Sequence, residues 1–325
     1  MATDSLSHSS PLRTMAWGLA FGAVLLAAGW VLPKWLLSLS MIAMSYGLVS
    51  LGVVVLMRAG VAPFGQGLVY AAGGYAAALA FNRWGITDAL VLCTLGGVAG
   101  FLMTLPFAPF LARYRGIFFA MLTLALSMVL YGILMKNEAL GGSDGFNVTR
   151  ASLFGSKASD ANAPAVLHSV IVLFTTLLAI GTRIYCDSAR GLVAQAIRDN
   201  ELRVEYLGVS VVRVMVTNLL IAGTLGGVGG ATSVLALGHI DPQFSYWTTS
   251  GEFVFVAILA GHHSVVAAFV SSYLLEIVRS LSSAYFPNYW QLALGLFLLF
   301  VIRFVPNGLG SLWSRITGKQ GGATR

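Results

Sequence analysis

The sequence predicts an all-α integral membrane protein with about ten transmembrane helices, some of them broken. The chain is 57% hydrophobic and only 10% charged, whereas about 25% of the residues in a soluble domain are charged. Its mean hydropathy is +0.83. Several apolar stretches reach the roughly 20 residues that one helical crossing of a bilayer needs. The sequence lacks the short alternating segments that are typical of outer-membrane β-barrels.

Ten apolar segments define the predicted crossings. In chain order they are residues 15–32, 35–57, 61–81, 88–112, 117–135, 165–182, 214–238, 244–262, 264–284 and 289–305. Glycine, proline or the His262–His263 pair interrupts the third, eighth and ninth. The first segment has no evident A-x-A cleavage site, which favours a retained span over a secretory signal.

The distribution of Lys and Arg predicts the orientation. With the N-terminus in the cytoplasm, 13 of the 19 basic residues lie on the cytoplasmic side, as the positive-inside rule requires. We therefore expect cytoplasmic tails at residues 1–14 and 306–325, and a transmembrane domain at residues 15–305. The net charge of +7 is then explained by basic loops in contact with membrane lipid, and no nucleic acid partner is needed.

Two connections between the crossings are long. Residues 136–164 are rich in Gly, Ser, Asn and Asp, and we expect them on the extracytoplasmic side. Residues 183–213, called the insert below, hold nine of the 31 charged residues and are expected in the cytoplasm. Good helix formers fill the centre of the insert, and Gly208 is a plausible helix stop.

A charged helix of this size cannot lie within hydrocarbon, so it rests at the membrane surface or against another protein. One interpretation is a solvated loop helix. The other is a docking element for a cytoplasmic motor. Charges of both signs suit a polar protein groove, whereas a helix that binds anionic lipid is more uniformly basic.

The insert resembles the cytoplasmic loop of branched-chain amino acid ABC transporter permeases of the LivM type. The matching residues are Gly191, Ala196, Ile197, Arg198, Asn200, Glu201, Leu207, Gly208 and Val209. Further resemblances follow the same order over about residues 40–312 and carry other motifs of the family. They are Tyr114–Ser127, Gly141–Gly145, Ile240–Glu252 and Phe304–Leu312.

This resemblance implies a type II-like ABC importer permease for branched-chain amino acids or a related small polar solute. It further implies a second permease subunit of the LivH type in a heterodimer, two cytoplasmic ATPase subunits, an extracytoplasmic substrate-binding protein, and a bacterial inner-membrane location. The sequence has no G-x-x-x-x-G-K-[ST] motif. ATP and Mg²⁺ are therefore expected in the partner ATPases, and this chain is expected to be no enzyme and to bind no cofactor or metal itself.

The insert would then be the coupling helix that contacts an ATPase. The residues assigned to this contact are Arg190, Gly191, Ala196, Ile197, Arg198, Asp199, Asn200, Glu201, Leu207 and Gly208.

The third crossing is the predicted wall of the translocation path. Pro63 and Gln66 stand where the family often has serine and histidine. Proline frees backbone carbonyls, which is tolerated at membrane depth only beside protein or a cavity. The alternative is a packing kink supported by small residues. The residues assigned to the path are Pro63, Gln66, Tyr70, Gly73, Gly74 and Glu252.

Two nearly identical segments, Thr94–Gly100 and Thr224–Gly230, lie on crossings predicted to run in opposite directions. Each contains a G-x-x-x-G pattern, which lets helix backbones approach closely. They indicate either an inverted repeat or tight packing alone. The residues assigned to helix packing are Gly96, Gly100, Gly226 and Gly230.

Few ionisable residues lie within the crossings. Glu276 and Arg279 are three residues apart and are expected to pair on one helix face. Glu252 has no such neighbour and is expected near the outer end of its crossing, facing either the path or interfacial water. His262 and His263 are expected at an interface or cavity, because adjacent helical residues point in different directions and no carboxylate or cysteine cluster accompanies them.

Two other classes of function remain open from the sequence. An ion- or proton-coupled carrier would titrate Glu252 or Glu276. An intramembrane enzyme would need a nucleophile with a base, or a metal cluster, and the sequence offers neither.

Overall fold

The computed structural model describes residues 11–149, 152, 162–261, 264–285, 287–304 and 308–309. Within them the chain forms thirteen α-helices and two short strands. The helices are α1 (Pro11–Val31), α2 (Lys34–Arg58), α3 (Gln66–Trp84), α4 (Ala89–Thr104), α5 (Ala108–Leu111), α6 (Gly116–Lys136), α7 (Ala163–Asp187), α8 (Ala189–Asp199), α9 (Glu201–Tyr206), α10 (Val211–Leu237), α11 (Trp247–Ala260), α12 (Val265–Tyr285) and α13 (Trp290–Phe304). The strands are β1 (Phe146–Asn147) and β2 (His239–Ile240), and 3-10 helices form at Glu138–Leu140 and Pro242–Ser245.

The all-α membrane class is confirmed. Five helices, namely α2, α6, α7, α10 and α12, are long and apolar enough to cross a membrane. Four shorter apolar helical stretches accompany them, at Gly18–Val31, Ala89–Thr104, Trp247–Ala260 and Trp290–Val301. Apolar helices of these lengths suit a multi-pass membrane protein, because each satisfies its own backbone hydrogen bonds in hydrocarbon.

Three predicted helical segments are broken in the structure. Residues 88–112 divide into α4 and α5, because Pro106 has no N–H to continue the helical ladder. The crossing predicted at 61–81 becomes helical only at Gln66, after Pro63. The insert forms two helices, α8 and α9, rather than one.

Helix α10 is the centre of the bundle and packs against α2, α3 and α4. Glycines make these contacts close. A Cβ on Gly73 of α3 would overlap the backbone of Gly227, and a Cβ on Gly100 of α4 would overlap the backbone of Gly223. Such contacts replace side-chain interdigitation with direct backbone packing, as is common between membrane helices.

The two similar glycine segments pack directly against each other. Gly96 faces Ala231, and Gly100 faces Gly223, so α4 and α10 run antiparallel at this contact. Of the other two residues assigned to packing, Gly230 lies against the backbone of Tyr70 and Gly226 against the side chain of Val69 on α3.

The bundle has two distinct ends. At one, called the strand end, β1 and β2 pair antiparallel with Phe146 opposite Ile240. The Gly141–Gly145 loop closes here, because a Cβ on Gly145 would overlap the Ile240 carbonyl. At the other end, called the insert end, α8 and α9 pack near the end of α2 and the start of α10.

Some predicted features lie outside the described residues. They are residues 1–10 of the N-terminal tail, residues 150–151 and 153–161 of the long loop, His262 and His263, and residues 306–307 and 310–325 of the C-terminal tail.

Candidate functional site

The insert is a pair of capped helices. The Ser188 hydroxyl accepts a hydrogen bond from Gly191 N at 3.4 Å at the start of α8. Asn200 ends α8 and begins α9, where its side chain accepts from Arg203 N at 3.0 Å. Polar side chains of this kind satisfy amide groups that a helix start leaves free. Beyond α9, Gly208 adopts a φ of +80°, and the chain turns into α10.

One face of the insert is seated on the transmembrane bundle. Ala194, Ile197 and Val204 are buried in an apolar cluster together with residues of α2, α5 and α10. Gly191 lies so close to the carbonyls of Tyr185 and Cys186 that a Cβ would overlap them. Gly191 and Ile197, which the sequence assigns to the ATPase contact, therefore face this subunit's own bundle and hold the insert in place.

The opposite face of the insert is exposed. It carries most of the residues assigned to coupling, namely Arg190, Ala196, Arg198, Asp199, Asn200, Leu207 and Gly208. The side chains of Leu202, Tyr206 and Leu207 are exposed by 64%, 88% and 77%. The sequence did not single out Leu202 or Tyr206. Apolar residues ringed by charges of both signs are typical of a protein-binding surface.

Arg115 fastens the insert to the start of α6. Its Nε and Nη2 donate to the two carboxylate oxygens of Glu201, each at 3.0 Å. Its Nη1 donates to the carbonyls of Ala112 and Tyr114 at 2.7 and 2.8 Å. This two-pronged geometry fixes both the position and the angle of the carboxylate. Glu201, assigned to the ATPase contact, is thus turned inwards to a partner that the sequence did not reveal.

Two broken crossings meet in the middle of the bundle. Helix α3 begins at Gln66 and α11 begins at Trp247, directly after the 3-10 helix. Gly67 N donates to the Ser250 hydroxyl at 2.9 Å across this junction. Ser127, near the middle of α6, donates to the Ser245 carbonyl at 2.7 Å. Paired discontinuous helices near mid-membrane are where transporters commonly place solute sites.

A small cavity of about 40 Å³ lies beside this junction. Pro63 and Gln66 line it, together with Thr104, Thr123 and apolar side chains of α5 and α10. Gln66 is only 5% exposed, and its Nε2 has no hydrogen-bond partner among the described residues. The cavity holds a few water molecules at most, since one water needs roughly 10–15 Å³.

The remaining path residues of α3 are enclosed by packing. Tyr70 is 1% exposed and stacks on Phe244 at 4.9 Å between ring centroids. Gly73 abuts α10, and Gly74 faces the side chains of Val234 and Ile240. In this conformation Pro63 and Gln66 line a cavity. Tyr70, Gly73 and Gly74 are packed against neighbouring residues, as the alternative interpretation of the third crossing expects.

A cluster of charged side chains lies between α11 and α12. Arg279 Nη1 donates to Glu252 Oε2 at 3.1 Å and to the Tyr46 hydroxyl at 3.2 Å. Its distance to Glu276 Oε2 is 4.0 Å. The guanidinium carbon is 5.8 Å from the Tyr46 ring centroid and 5.4 Å from that of Trp290, within the range of cation–π attraction.

This cluster corrects two expectations. Glu252 has a charged partner after all, supplied by α12, and the contact of Arg279 with Glu252 is shorter than its contact with Glu276. Glu252 also lies deeper than expected, because its crossing begins in the middle of the bundle at Ser245 and Ser250. Ser250 and Glu252 are two positions apart on α11 and project from different sides, so Glu252 faces away from the Gln66 cavity.

Among the described residues, no group of three His, Cys, Asp or Glu side chains is arranged to hold a metal ion. The adjacent histidines at positions 262 and 263 lie outside them.

Comparison with known proteins agrees with this architecture. Residues 35–302 match the family described as branched-chain amino acid transport system / permease component. The chain is 24% identical over 314 residues to the high-affinity branched-chain amino acid transport system permease protein LivM of Escherichia coli (strain K12), covering 88% of this chain and 73% of that protein. It is equally similar to LivM of Salmonella typhimurium (strain LT2).

The chain is also 23% identical over 280 residues to the permease protein LivH of Salmonella typhimurium, covering 82% of this chain and 91% of that protein. No solved structure matches the chain significantly. Because the family match takes in residues 35–302 of 325, the chain belongs to the family of branched-chain amino acid transport system permease components.

Proposed function

We propose that this chain is the transmembrane subunit of an ATP-driven, binding-protein-dependent importer in a bacterial inner membrane. It moves a branched-chain amino acid, or a related amino acid, urea, amide or small carboxylate, towards the cytoplasm. Both termini and the insert lie on the cytoplasmic side. The observation that carries this proposal is the exposed face of α8 and α9, on a pair of helices whose other face is anchored in the bundle.

The composition of that face favours a protein partner. Leu202, Tyr206 and Leu207 expose large apolar surfaces beside Arg198, Asp199 and Arg203. Anionic lipid attracts uniformly basic surfaces, and bulk water does not favour clustered apolar side chains. A groove on a cytoplasmic ATPase subunit would bury the apolar side chains and pair with the charges of both signs. The ATPase pair supplies ATP hydrolysis and Mg²⁺, since this sequence contains no phosphate-binding loop motif.

Helix α6 offers a route from the insert to the junction of the two broken crossings. Arg115 ties its start to Glu201. Further along α6, the Thr123 hydroxyl accepts from Phe64 N at 3.1 Å, beside Gln66. One turn beyond, Ser127 holds the Ser245 carbonyl in front of α11. A displacement of the insert by nucleotide binding thus reaches both broken crossings through one helix.

A second permease subunit completes the proposed path. The relatives named LivM and LivH are both permease proteins of a high-affinity branched-chain amino acid transport system. Since this chain is similar to both, we propose a LivH-type partner in a heterodimer. An extracytoplasmic binding protein delivers solute to the strand end of the pair.

The test is reconstitution of the chain in proteoliposomes with its neighbouring permease, ATPase and binding-protein gene products. We expect uptake of radiolabelled L-leucine, or of the solute that stabilises the binding protein thermally, only when ATP is present on the insert side. Uptake by the purified chain alone would contradict the proposal.

The charged cluster favours a second candidate, an ion- or proton-coupled carrier. Glu252 and Glu276 lie close to a single arginine, and intramembrane carboxylates serve as proton sites in many carriers. The same proteoliposomes separate the two functions. A carrier transports when a proton or sodium gradient is imposed without ATP, whereas the importer does not respond to the gradient.

A further inference from the structure

The charged cluster lies near the middle of the membrane-spanning bundle. Tyr46, which accepts from Arg279 at 3.2 Å, is the central residue of α2, counted from Lys34 to Arg58. The side chain of Arg279 is nevertheless 32% exposed and that of Glu252 17% exposed on the surface of this subunit. Charge exposed to lipid at this depth is strongly unfavourable. This side of α11 and α12 therefore faces a water-filled path or a partner subunit.

The cluster is electrostatically incomplete. It contains two carboxylates and one guanidinium. Glu276 is 8% exposed, and its Oε2 has no hydrogen-bond donor among the described residues. The nearest cationic nitrogen, Nη1 of Arg279, lies 4.0 Å from that oxygen, beyond hydrogen-bond distance. A buried carboxylate oxygen without a donor is unfavourable, so the site lacks an N–H group at this position.

Arg279 also has N–H donors that make no hydrogen bond to the described residues. Both hydrogen bonds that it makes to described residues come from Nη1. Arginine has five N–H donors in a planar fork, so the Nε and Nη2 donors remain for an anion. The rings of Tyr46 and Trp290 lie within 6 Å of the guanidinium carbon and hold the fork in place.

A small apolar hollow of about 10 Å³ lies further along α11. Phe255, Ile258 and Leu259 line it together with Leu298 of α13. Phe255 and Leu259 follow Glu252 by three and seven positions, so all three share one face of α11. Charged and apolar side chains thus follow one another along the same face of α11.

We propose that Glu252, Glu276 and Arg279 form a binding site for a zwitterion, namely the α-amino and α-carboxylate groups of an amino acid on its way through the path. The ammonium donates to Glu276 and Glu252, the carboxylate accepts from the free edge of Arg279, and an aliphatic side chain lies towards Phe255 and Ile258. This inference rests on the proposed function, because it places the cluster on the translocation path. A phosphatidylethanolamine headgroup presents the same pair of charges, so the experiment separates the two sources.

The experiment measures equilibrium binding of radiolabelled L-leucine to the assembled permease pair in nanodiscs, without ATP or binding protein. We expect Glu276→Gln and Arg279→Lys each to raise the Kd for L-leucine at least about tenfold, since each weakens a charge-assisted hydrogen bond. Glu138→Gln, an exposed glutamate at the strand end, is the matched control and leaves the Kd unchanged.

Competitors test the two charges separately. L-leucinamide lacks the carboxylate, and 4-methylpentanoate lacks the ammonium. In the wild-type pair both compete at least about tenfold less well than L-leucine, because each leaves one charged partner unmatched. Glu276→Gln removes most of the preference for L-leucine over 4-methylpentanoate, and Arg279→Lys reduces the preference over L-leucinamide. A change in selectivity of this kind is not produced by misfolding.

The lipid source is tested in nanodiscs of phosphatidylethanolamine and of phosphatidylglycerol. Retention of phosphatidylethanolamine by the wild type but not by Glu276→Gln, with no leucine binding in either disc, would overturn the amino-acid site. Equal leucine binding and selectivity in all variants would overturn it as well.

If ATP-driven uptake occurs in that case, only this inference fails. If leucine binding follows the prediction but ATP drives no uptake, the site stands and the proposed ATP-driven function fails.

Discussion

Arg115 and Glu201 are 86 residues apart in the sequence and are joined by two hydrogen bonds of 3.0 Å. The contact links the first residue of α9 to the residue that precedes α6. Arg115 also donates to two carbonyls of its own loop, so the loop and the insert are held by one side chain. This contact is the point at which the coupling proposed above would pass from the insert to α6.

Replacing Arg115 with alanine should reduce ATP-driven uptake roughly tenfold, within the range of about 1–3 kcal/mol that is typical of coupling between sites. The free energy of unfolding should change by less than about 1 kcal/mol, because the two side chains are 28% and 36% exposed. Uptake and thermal unfolding of the reconstituted complex measure the two effects. The matched control is Arg113→Ala, an exposed neighbour in the same loop.

The exchanged pair, Arg115→Glu with Glu201→Arg, should recover part of the lost uptake, since the charge attraction is restored. The bonds from Arg115 to the loop carbonyls are not restored, so recovery should be incomplete. Full activity of both single variants would show that the ion pair transmits nothing.

Leu202→Glu should weaken binding of the ATPase subunits without affecting membrane insertion. Leu202 is 64% exposed and contributes an apolar contact to the proposed interface, where truncation of a central residue costs about 2 kcal/mol or more. Co-purification of the ATPase with the permease, at graded salt concentration, measures the effect. Leu237→Glu is the control, because Leu237 is 51% exposed at the strand end of α10. Equal losses in both variants would count against the assigned interface.

Much of the fold follows from local features of the sequence. Runs of about 20 apolar residues predict the crossings, and Pro63 predicts a break because proline has no N–H for the helical ladder. The break at Pro106 has the same cause, although residues 88–112 are predicted as one crossing. The insert is recognisable because its charges cannot lie in hydrocarbon. These features depend only on neighbouring residues and on the thickness of the membrane.

The candidate site is less predictable, because its contacts are long-range. Glu252 pairs with Arg279 on the next helix, and the spacing of the two residues does not indicate that α11 begins in the middle of the bundle. Tyr70, Gly73 and Gly74 are predicted to line the path because they lie on the crossing that Pro63 breaks, but long-range packing encloses them. Which face of the insert is buried also depends on α2, α5 and α10. An arginine at the start of a crossing, opposite a charged loop, was the available signal for Arg115.

Gly73→Ala should destabilise the bundle. The added methyl group would overlap the backbone of Gly227 on α10, which cannot move aside as a flexible side chain can, and overpacking of this kind typically costs about 1–3 kcal/mol. Thermal unfolding of the purified protein in detergent is the measurement. Gly132→Ala on α6 is the control, since a Cβ there has nothing within 4 Å. If the two variants unfold at the same temperature, the close contact between α3 and α10 is wrong.

Ser250→Ala should loosen the junction of the two broken crossings. Ser250 is fully buried, and its hydroxyl accepts from Gly67 N at 2.9 Å. The substitution leaves a buried N–H without an acceptor at the start of α3, which costs about 1–3 kcal/mol. Hydrogen exchange of the Gly67 amide should accelerate, and the unfolding temperature should fall. Ser283→Ala is the control, because among the described residues that exposed hydroxyl bonds only to the Ser280 carbonyl of its own helix. Unchanged exchange at Gly67 in the Ser250 variant would mean that α3 and α11 are not joined at this point, and that α6 reaches α11 through Ser127 alone.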